Sequence, residues 1–424
     1  MPAKGGCVGH RPTENGTDVI VVGAGVIGLA TAWRCAQRGF NVTVVDPDPG
    51  RGASHYAAGM LAPVTEAHFG EESLLHLTIE AARRYPAFVA DLQAAAGISV
   101  GYRTTGMLAV AFDNDDRAVL AELHAYHNSL GLTSTLLSSR ECRDREPALA
   151  PAIRAGLWVE GDHQVDNRRL VQALRAACDR VGVRFLPTEA HLDVHGNRVR
   201  GANGIPAAAT VLAAGAWSPH VAGLPEAVRP PVRPVKGQIL RLRVDPNRPL
   251  LTRAVRAFVR GRPLYVVPRE TGEIVVGGTV EEMGFDQRVT VEAVADLLDD
   301  ARRLVPGLVD ADFVEASAGL RPGSPDNGPM VGPSGVDGLV IATGHYRNGI
   351  LLAPITADAV AELLATGAIP EEFVPFDPRR FFDPDWSARH SHRRTAPAAS
   401  PRSGKDGTSA EPDAARDEKE AATK

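Results

Sequence analysis

The segment Gly23-Ala24-Gly25-Val26-Ile27-Gly28 constrains this chain more than any other stretch. It follows the apolar run Val19-Ile20-Val21-Val22 and leads to a second apolar run, Val42-Thr43-Val44-Val45, closed by Asp46. Strand, glycine loop, helix, strand and acid in that order make one βαβ unit for a dinucleotide. The first glycine permits a tight turn and the second lets backbone approach a pyrophosphate. The third lets the helix pack closely on the strand. Pyrophosphate oxygens would face the free N–H groups and positive dipole end of a helix beginning near Val26 and Ile27. Asp46 stands about 20 residues beyond the loop, where a carboxylate accepts hydrogen bonds from a ribose. The motif leaves NAD, NADP and FAD open.

Bulk properties narrow the class. The 424 residues are 44% apolar and 23% charged, as in a globular protein that buries a large core without covalent staples. A net charge of −5 gives no overall basic field for nucleic acid or for an anionic membrane surface. Cys7, Cys35, Cys142 and Cys178 lack metal-ligand or CxxC spacing, so free thiols in a reducing compartment are expected, with no metal site. No apolar run is expected to span a membrane, and residues 1–17 lack the h-region of a secretory signal. The expected location is the cytoplasm.

Residues 1–17 read as a flexible leader. Residues 387–424, rich in Ala, Pro, Ser and mixed charge, read as a disordered tail. Between them, helical spacing predicts helices over 26–38, 72–96, 170–181, 290–304 and about 351–364, with Gly39 and Gly97 as stop signals. Short apolar runs predict strands over 102–112, 156–159, 184–186, 209–215 and 338–344. The alternation within 238–243, 264–267 and 273–276, separated by Pro, Gly and Asn turns, predicts an antiparallel sheet. Three strands ending in small residues are thus spread along the whole chain. An α/β fold accounts for this, with a Rossmann-like domain built from discontinuous segments (18–95, 150–230, 319–375). An antiparallel-sheet α+β domain (96–149, 231–318) is inserted into it. That architecture is commoner among FAD enzymes than among nicotinamide dehydrogenases, which favours FAD.

Two further segments carry chemistry. Ala57-Ala58-Gly59-Met60 has little side-chain bulk, which lets backbone approach a large planar ligand. Gly344-His345-Tyr346-Arg347-Asn348-Gly349-Ile350-Leu351 leads from a strand into an apolar helix, whose N-terminus would support negative charge on a flavin edge. With Ala213-Ala214-Gly215-Ala216-Trp217-Ser218 and Gly319-Leu320-Arg321-Pro322, these segments resemble the FAD-dependent D-amino acid oxidase superfamily. The likeness is nearest to its glycine oxidases of thiazole (thiamin) biosynthesis, and it covers about residues 18–375.

The resemblance implies non-covalent FAD held by Gly23, Gly25, Val26, Ile27, Gly28, Asp46, Pro47, Ala53, Ser54, Ala58, Gly59, Met60, Ala214, Gly215 and Trp217. His345, Tyr346, Arg347, Asn348, Gly349, Ile350 and Leu351 complete that set. It implies that Arg321 holds a substrate carboxylate through paired hydrogen bonds, with Arg347 and the Tyr265 hydroxyl beside it. Pro263 and Val280 stand where the family pattern has a histidine and a methionine, at positions that select the amine. No acid–base residue is required. The implied reaction is oxidation of glycine, sarcosine or a small D-amino acid by hydride transfer to flavin. Oxygen accepts the electrons as hydrogen peroxide, and the imine yields glyoxylate and ammonia or passes to a thiazole synthase. A homotetramer is also implied. A dehydrogenase that passes electrons to a quinone or protein is the alternative, and no residue decides between them.

Overall fold

Val19–Val22 is an unbroken β-branched run, buried along its length, and it forms a central strand of a six-stranded sheet. The structure, a computed structural model, describes residues 18–259 and 261–385; the leader, Cys7 and the tail lie outside the described residues. In the six-stranded sheet the order is Met330–Pro333, Leu339–Thr343, Ala209–Leu212, Val19–Val22, Val42–Val45 and Arg184–Leu186. Every pairing is parallel except that between Met330–Pro333 and Leu339–Thr343. The three strands that end in small residues are therefore neighbours, although nearly the whole chain separates the first from the last. The chain leaves Val19–Val22 toward Val42–Val45 on one side and later returns to Ala209–Leu212 on the other. Such a reversal of strand order opens a crevice beyond the carboxyl ends of the strands, where ligands bind.

Helices Val26–Gln37, Glu72–Ala96, Asn167–Arg180 and Gly349–Thr366 share one large apolar core with this sheet. Gly97 takes a left-handed φ of 65° and ends the second of them. The stretch Tyr346–Thr366 is long and apolar enough to cross a bilayer, with a mean hydropathy of 1.5, contrary to the expectation that no run is. Its residues Ile350 to Ala357 are instead buried, and the helix packs on Val26–Gln37 and Glu72–Ala96. It is apolar all round because protein surrounds it.

The second sheet has eight strands, in the order Asp312–Gly323, Arg233–Arg243, Glu273–Gly277, Arg262–Pro268, Ala254–Val259, Met107–Ala111, Ala155–Val159 and Thr135–Ser138. All pairings are antiparallel except that of Ala254–Val259 with Met107–Ala111. Helix Val291–Leu304 shares a core with one face, and Thr290 accepts from the Ala293 N–H at its start. Ala155–Val159 and Asp312–Gly323 both pair in this sheet, whereas the expected boundaries grouped 155–159 and 319–323 with the cofactor segments. Asp312–Gly323 follows the long strand Arg233–Arg243 along its whole length, which carries residues 319–323 with it. Helix Asn114–Ser129 has no counterpart in the sequence reading, because its buried stripe is only Leu120, Tyr126 and His127.

Candidate active site

One cavity of about 1240 Å³ lies between the two sheets. It reaches from the glycine loop to the face of the eight-stranded sheet. At the loop end, Gly23, Gly25, Val26, Ile27, Asp46 and Pro47 line it. Gly23 has φ +105°, and a Cβ there would lie 2.4 Å from the Ala213 carbonyl oxygen. Gly28 does not line the cavity; a Cβ on it would lie 1.9 Å from the Gly23 carbonyl oxygen, so its part is to let helix and loop close together. The Asp46 carboxylate accepts from the N–H of Ala24 at 2.7 Å and of Asp48 at 2.8 Å. It clamps the loop and still faces the cavity. Ser54, from a separate short helix, accepts from the Val26 N–H at 2.9 Å and so caps the loop helix from outside.

The middle of the cavity is lined by Ala53, Ala58, Gly59, Met60, Ala214, Gly215 and Trp217. Gly59 has φ +74°, and a Cβ would meet the Val165 carbonyl oxygen at 2.0 Å. The carbonyls of this segment are taken from behind. Asn167 donates to those of Ser54 and His55, at 2.8 and 3.0 Å, and the buried Arg269 donates to that of Ala58. Neither residue is visible as a site residue in the sequence, because each meets its partners across a hundred residues or more of chain. His345, Tyr346, Arg347, Gly349 and Ile350 also line the cavity. Asn348 and Leu351, expected with them, do not: Leu351 turns into the apolar core and Asn348 is buried beneath the turn. A turn into a helix sends successive side chains in different directions, so seven consecutive residues do not share one face.

The far end is made by side chains. Ala109, Arg256, Tyr265 and Gly277 stand in register across four adjacent strands of the eight-stranded sheet. A Cβ on Gly277 would lie 2.3 Å from the Tyr265 hydroxyl, and one on Gly237 would lie 2.3 Å from Nη1 of Arg321. A Cβ on Gly278 would sit 2.8 Å from that hydroxyl and 3.4 Å from Nη2 of Arg321. These three glycines, missed in the sequence, clear the space in which tyrosine and arginine meet. Arg321 donates to the carbonyls of Thr279 (3.0 Å) and Lys236 (3.3 Å), and among the described residues no carboxylate lies within ion-pair distance of it. Arg347 reaches Glu71 at 3.4 Å, and its buried Nε has no hydrogen-bond partner among the described residues. Pro263 and Val280 line the same end.

Burial raises the Tyr265 phenol above its usual range, against the opposing pull of Arg321, so it stays a neutral donor. Burial lowers the His345 imidazole to about 3, and its Nε2 lies 3.0 Å from the Thr356 hydroxyl. It is neutral at working pH. Asp162 is buried, and it accepts from the N–H groups of Val64 and Thr65 and from the Thr65 hydroxyl. Burial pushes its carboxyl up to about 6. It fixes the segment from which Glu66 enters the cavity.

The DAO family, described as FAD dependent oxidoreductase, matches residues 18–363. The chain belongs to this family. It is 35% identical over 373 residues to the bifunctional protein ThiO/ThiG of Synechocystis sp., a match covering 86% of this chain and 54% of that relative. The chain thus spans about half the length of the bifunctional relatives it matches. It is 34% identical over 365 residues to the glycine oxidase of Pseudomonas putida, covering 83% of this chain and 95% of that one. The crystal structure of glycine oxidase from Geobacillus kaustophilus superposes with a TM-score of 0.77 at 30% identity, covering 86% and 98% of the two chains.

The residues present fit the family's FAD. Gly23 and Gly59 bring bare backbone to the cavity wall, each packed so closely on a neighbouring carbonyl that a Cβ would not fit, and the loop helix and helix Gly349–Thr366 both bring their first residues to that wall. Backbone donors and positive dipole ends at both places suit a phosphate and an electron-rich ring edge.

Proposed function

We propose that this chain oxidises glycine and related small amines, such as sarcosine and small D-amino acids, with oxygen as electron acceptor. The observation that carries the reading is Arg321. A guanidinium with no carboxylate partner among the described residues, beside a neutral tyrosine hydroxyl in a cavity, is suited to a carboxylate held by two parallel hydrogen bonds. FAD, when bound, would supply the acceptor for a hydride from the substrate α-carbon, with oxygen as the final two-electron acceptor giving hydrogen peroxide. Arg321 and Tyr265 hold the carboxylate, and Arg347, held toward Glu71 at 3.4 Å, stands beside them as a second contact for it. Orientation and exclusion of water then do the work, and no proton-transferring side chain is invoked. The other half of the bifunctional relatives supports a thiazole synthase as the partner that consumes the imine. The free thiols of Cys35, Cys142 and Cys178 support a cytoplasmic setting, and the resemblance supports a homo-oligomer, with a homotetramer as the proposed form.

Anaerobic addition of glycine should bleach the flavin of the purified holoprotein, and in air peroxide should form in equal amount with glyoxylate. Arg321→Ala should raise KM for glycine by about 10-fold or more, since a hydrogen bond to a charged group contributes about 1.5–3 kcal/mol. An unchanged KM sinks the assignment. A flavin that glycine bleaches without peroxide in air would instead indicate another electron acceptor.

A further inference from the structure

Besides Arg321 and Arg347, the substrate end of the cavity holds a third guanidinium, which the carboxylate reading does not use. Arg256 stands directly opposite Tyr265 in the antiparallel pair, with Ala109 opposite it on the other side. Side chains so paired lie on one face about 4.5–5.5 Å apart at Cβ. Arg256 and Arg321 therefore flank the same tyrosine. Arg256 forms an ion pair with Glu66, and both residues line the cavity. Glu66 belongs to another part of the chain, 190 residues away, and it is delivered by the segment that Asp162 fastens through Val64 and Thr65. Arg321 lacks such a partner among the described residues.

We propose that the Glu66–Arg256 pair sets the specificity of the site: Glu66 occupies the place of a second substrate carboxylate, so that the cavity takes amines with one acid group and turns away those with two. This rests on the reading that Arg321 binds the first carboxylate. A substrate with a second carboxylate meets an arginine that is already neutralised and, next to it, a like charge. Rejection comes from repulsion as much as from a missing attraction. Removing the negative charge of Glu66 while keeping its shape leaves Arg256 free to bind that second group.

The test uses the FAD-loaded protein and two substrates, glycine and glycine carrying a carboxymethyl group on nitrogen. In the wild type, kcat/KM should favour glycine by about 10-fold or more. In Glu66→Gln the ratio of diacid to glycine should rise at least about 10-fold, the scale of discrimination one charged contact provides. In the double variant Glu66→Gln with Arg256→Met it should return toward the wild-type ratio. An unchanged ratio in Glu66→Gln, or an equal rise in the double variant, overturns the proposal. A binding measurement keeps it open to disproof where a variant loses flavin or where glycine is not turned over. Perturbation of the wild-type flavin spectrum should need at least 10-fold more malonate than acetate; equal binding of the two refutes the filter. Failure of acetate itself to perturb the flavin would strike instead at the carboxylate site on Arg321.

Discussion

The two ends of the cavity are built from different materials. At the loop end the wall is backbone: glycines, a helix terminus, and a carboxylate and a serine from the next segments of chain that fasten the loop in place. At the far end the wall is side chain: Arg321, Tyr265 and the Glu66–Arg256 pair, brought from separate strands and one loop and given room by Gly237, Gly277 and Gly278. A pyrophosphate recognised by backbone needs only local geometry, which one short segment supplies. A small amino acid recognised by charge needs groups converging from several directions. Anchoring is thus local in sequence, and selection is distributed.

If that contrast is real, damage at one end should leave the other intact. The largest effect is expected from Gly23→Val. It forces a β-branched residue into a left-handed φ and drives its Cβ into the Ala213 carbonyl, so purified protein should lack flavin absorbance. Retention of FAD would break the account of the loop.

Asp162 tests the other end through pH. Burial holds its carboxyl at about 6, above the ordinary 3.8 of an unfolded chain. Between those values the folded protein keeps a proton that the unfolded chain has released. Its contribution to stability is therefore fullest below about pH 4 and is lost as pH rises through about 6. The histidines His55 and His345, lowered by burial, slope the other way over part of this range. Subtracting the Asp162→Asn profile from the wild-type profile, by urea unfolding across pH 4 to 7, isolates the carboxyl; a flat difference would refute it.

Gly237→Ala should act on substrate alone. Its Cβ would press on the Arg321 guanidinium, and KM for glycine should rise about 10-fold (about 1.4 kcal/mol) with FAD content unchanged. Loss of flavin instead would show that the two ends are not separable. The smallest effect belongs to Ser54→Ala, which removes the acceptor for the Val26 N–H and should lower stability by about 1 kcal/mol while glycine oxidation persists.

Legibility in the sequence follows the same division. The glycine loop, Asp46, the strands at 184–186 and 209–212 and helix Glu72–Ala96 could be read because each depends on neighbours in the chain. Residues 345–351 could be read as a segment but not residue by residue, since Asn348 and Leu351 turn away from the cavity. Arg256 is one outward position in a short apolar strand, as a solvated arginine would be, and Glu66 lies in a loop of no pattern; nothing local marks either as part of a site. Gly237, Gly277 and Gly278 look like ordinary strand and turn glycines until the side chains across from them are in place.

By itself, then, the sequence determined a glycine loop and helix N-terminus of the shape that takes a dinucleotide. Steric exclusion at Gly23 and the free N–H groups of a helix are properties of contiguous backbone. The tertiary structure alone decided which arginines at the far end have a carboxylate beside them, Arg256 and Arg347, and that Arg321 has none among the described residues. Whether a guanidinium attracts a ligand depends on the carboxylates that folding brings near it, and Glu66 meets Arg256 across 190 residues of chain.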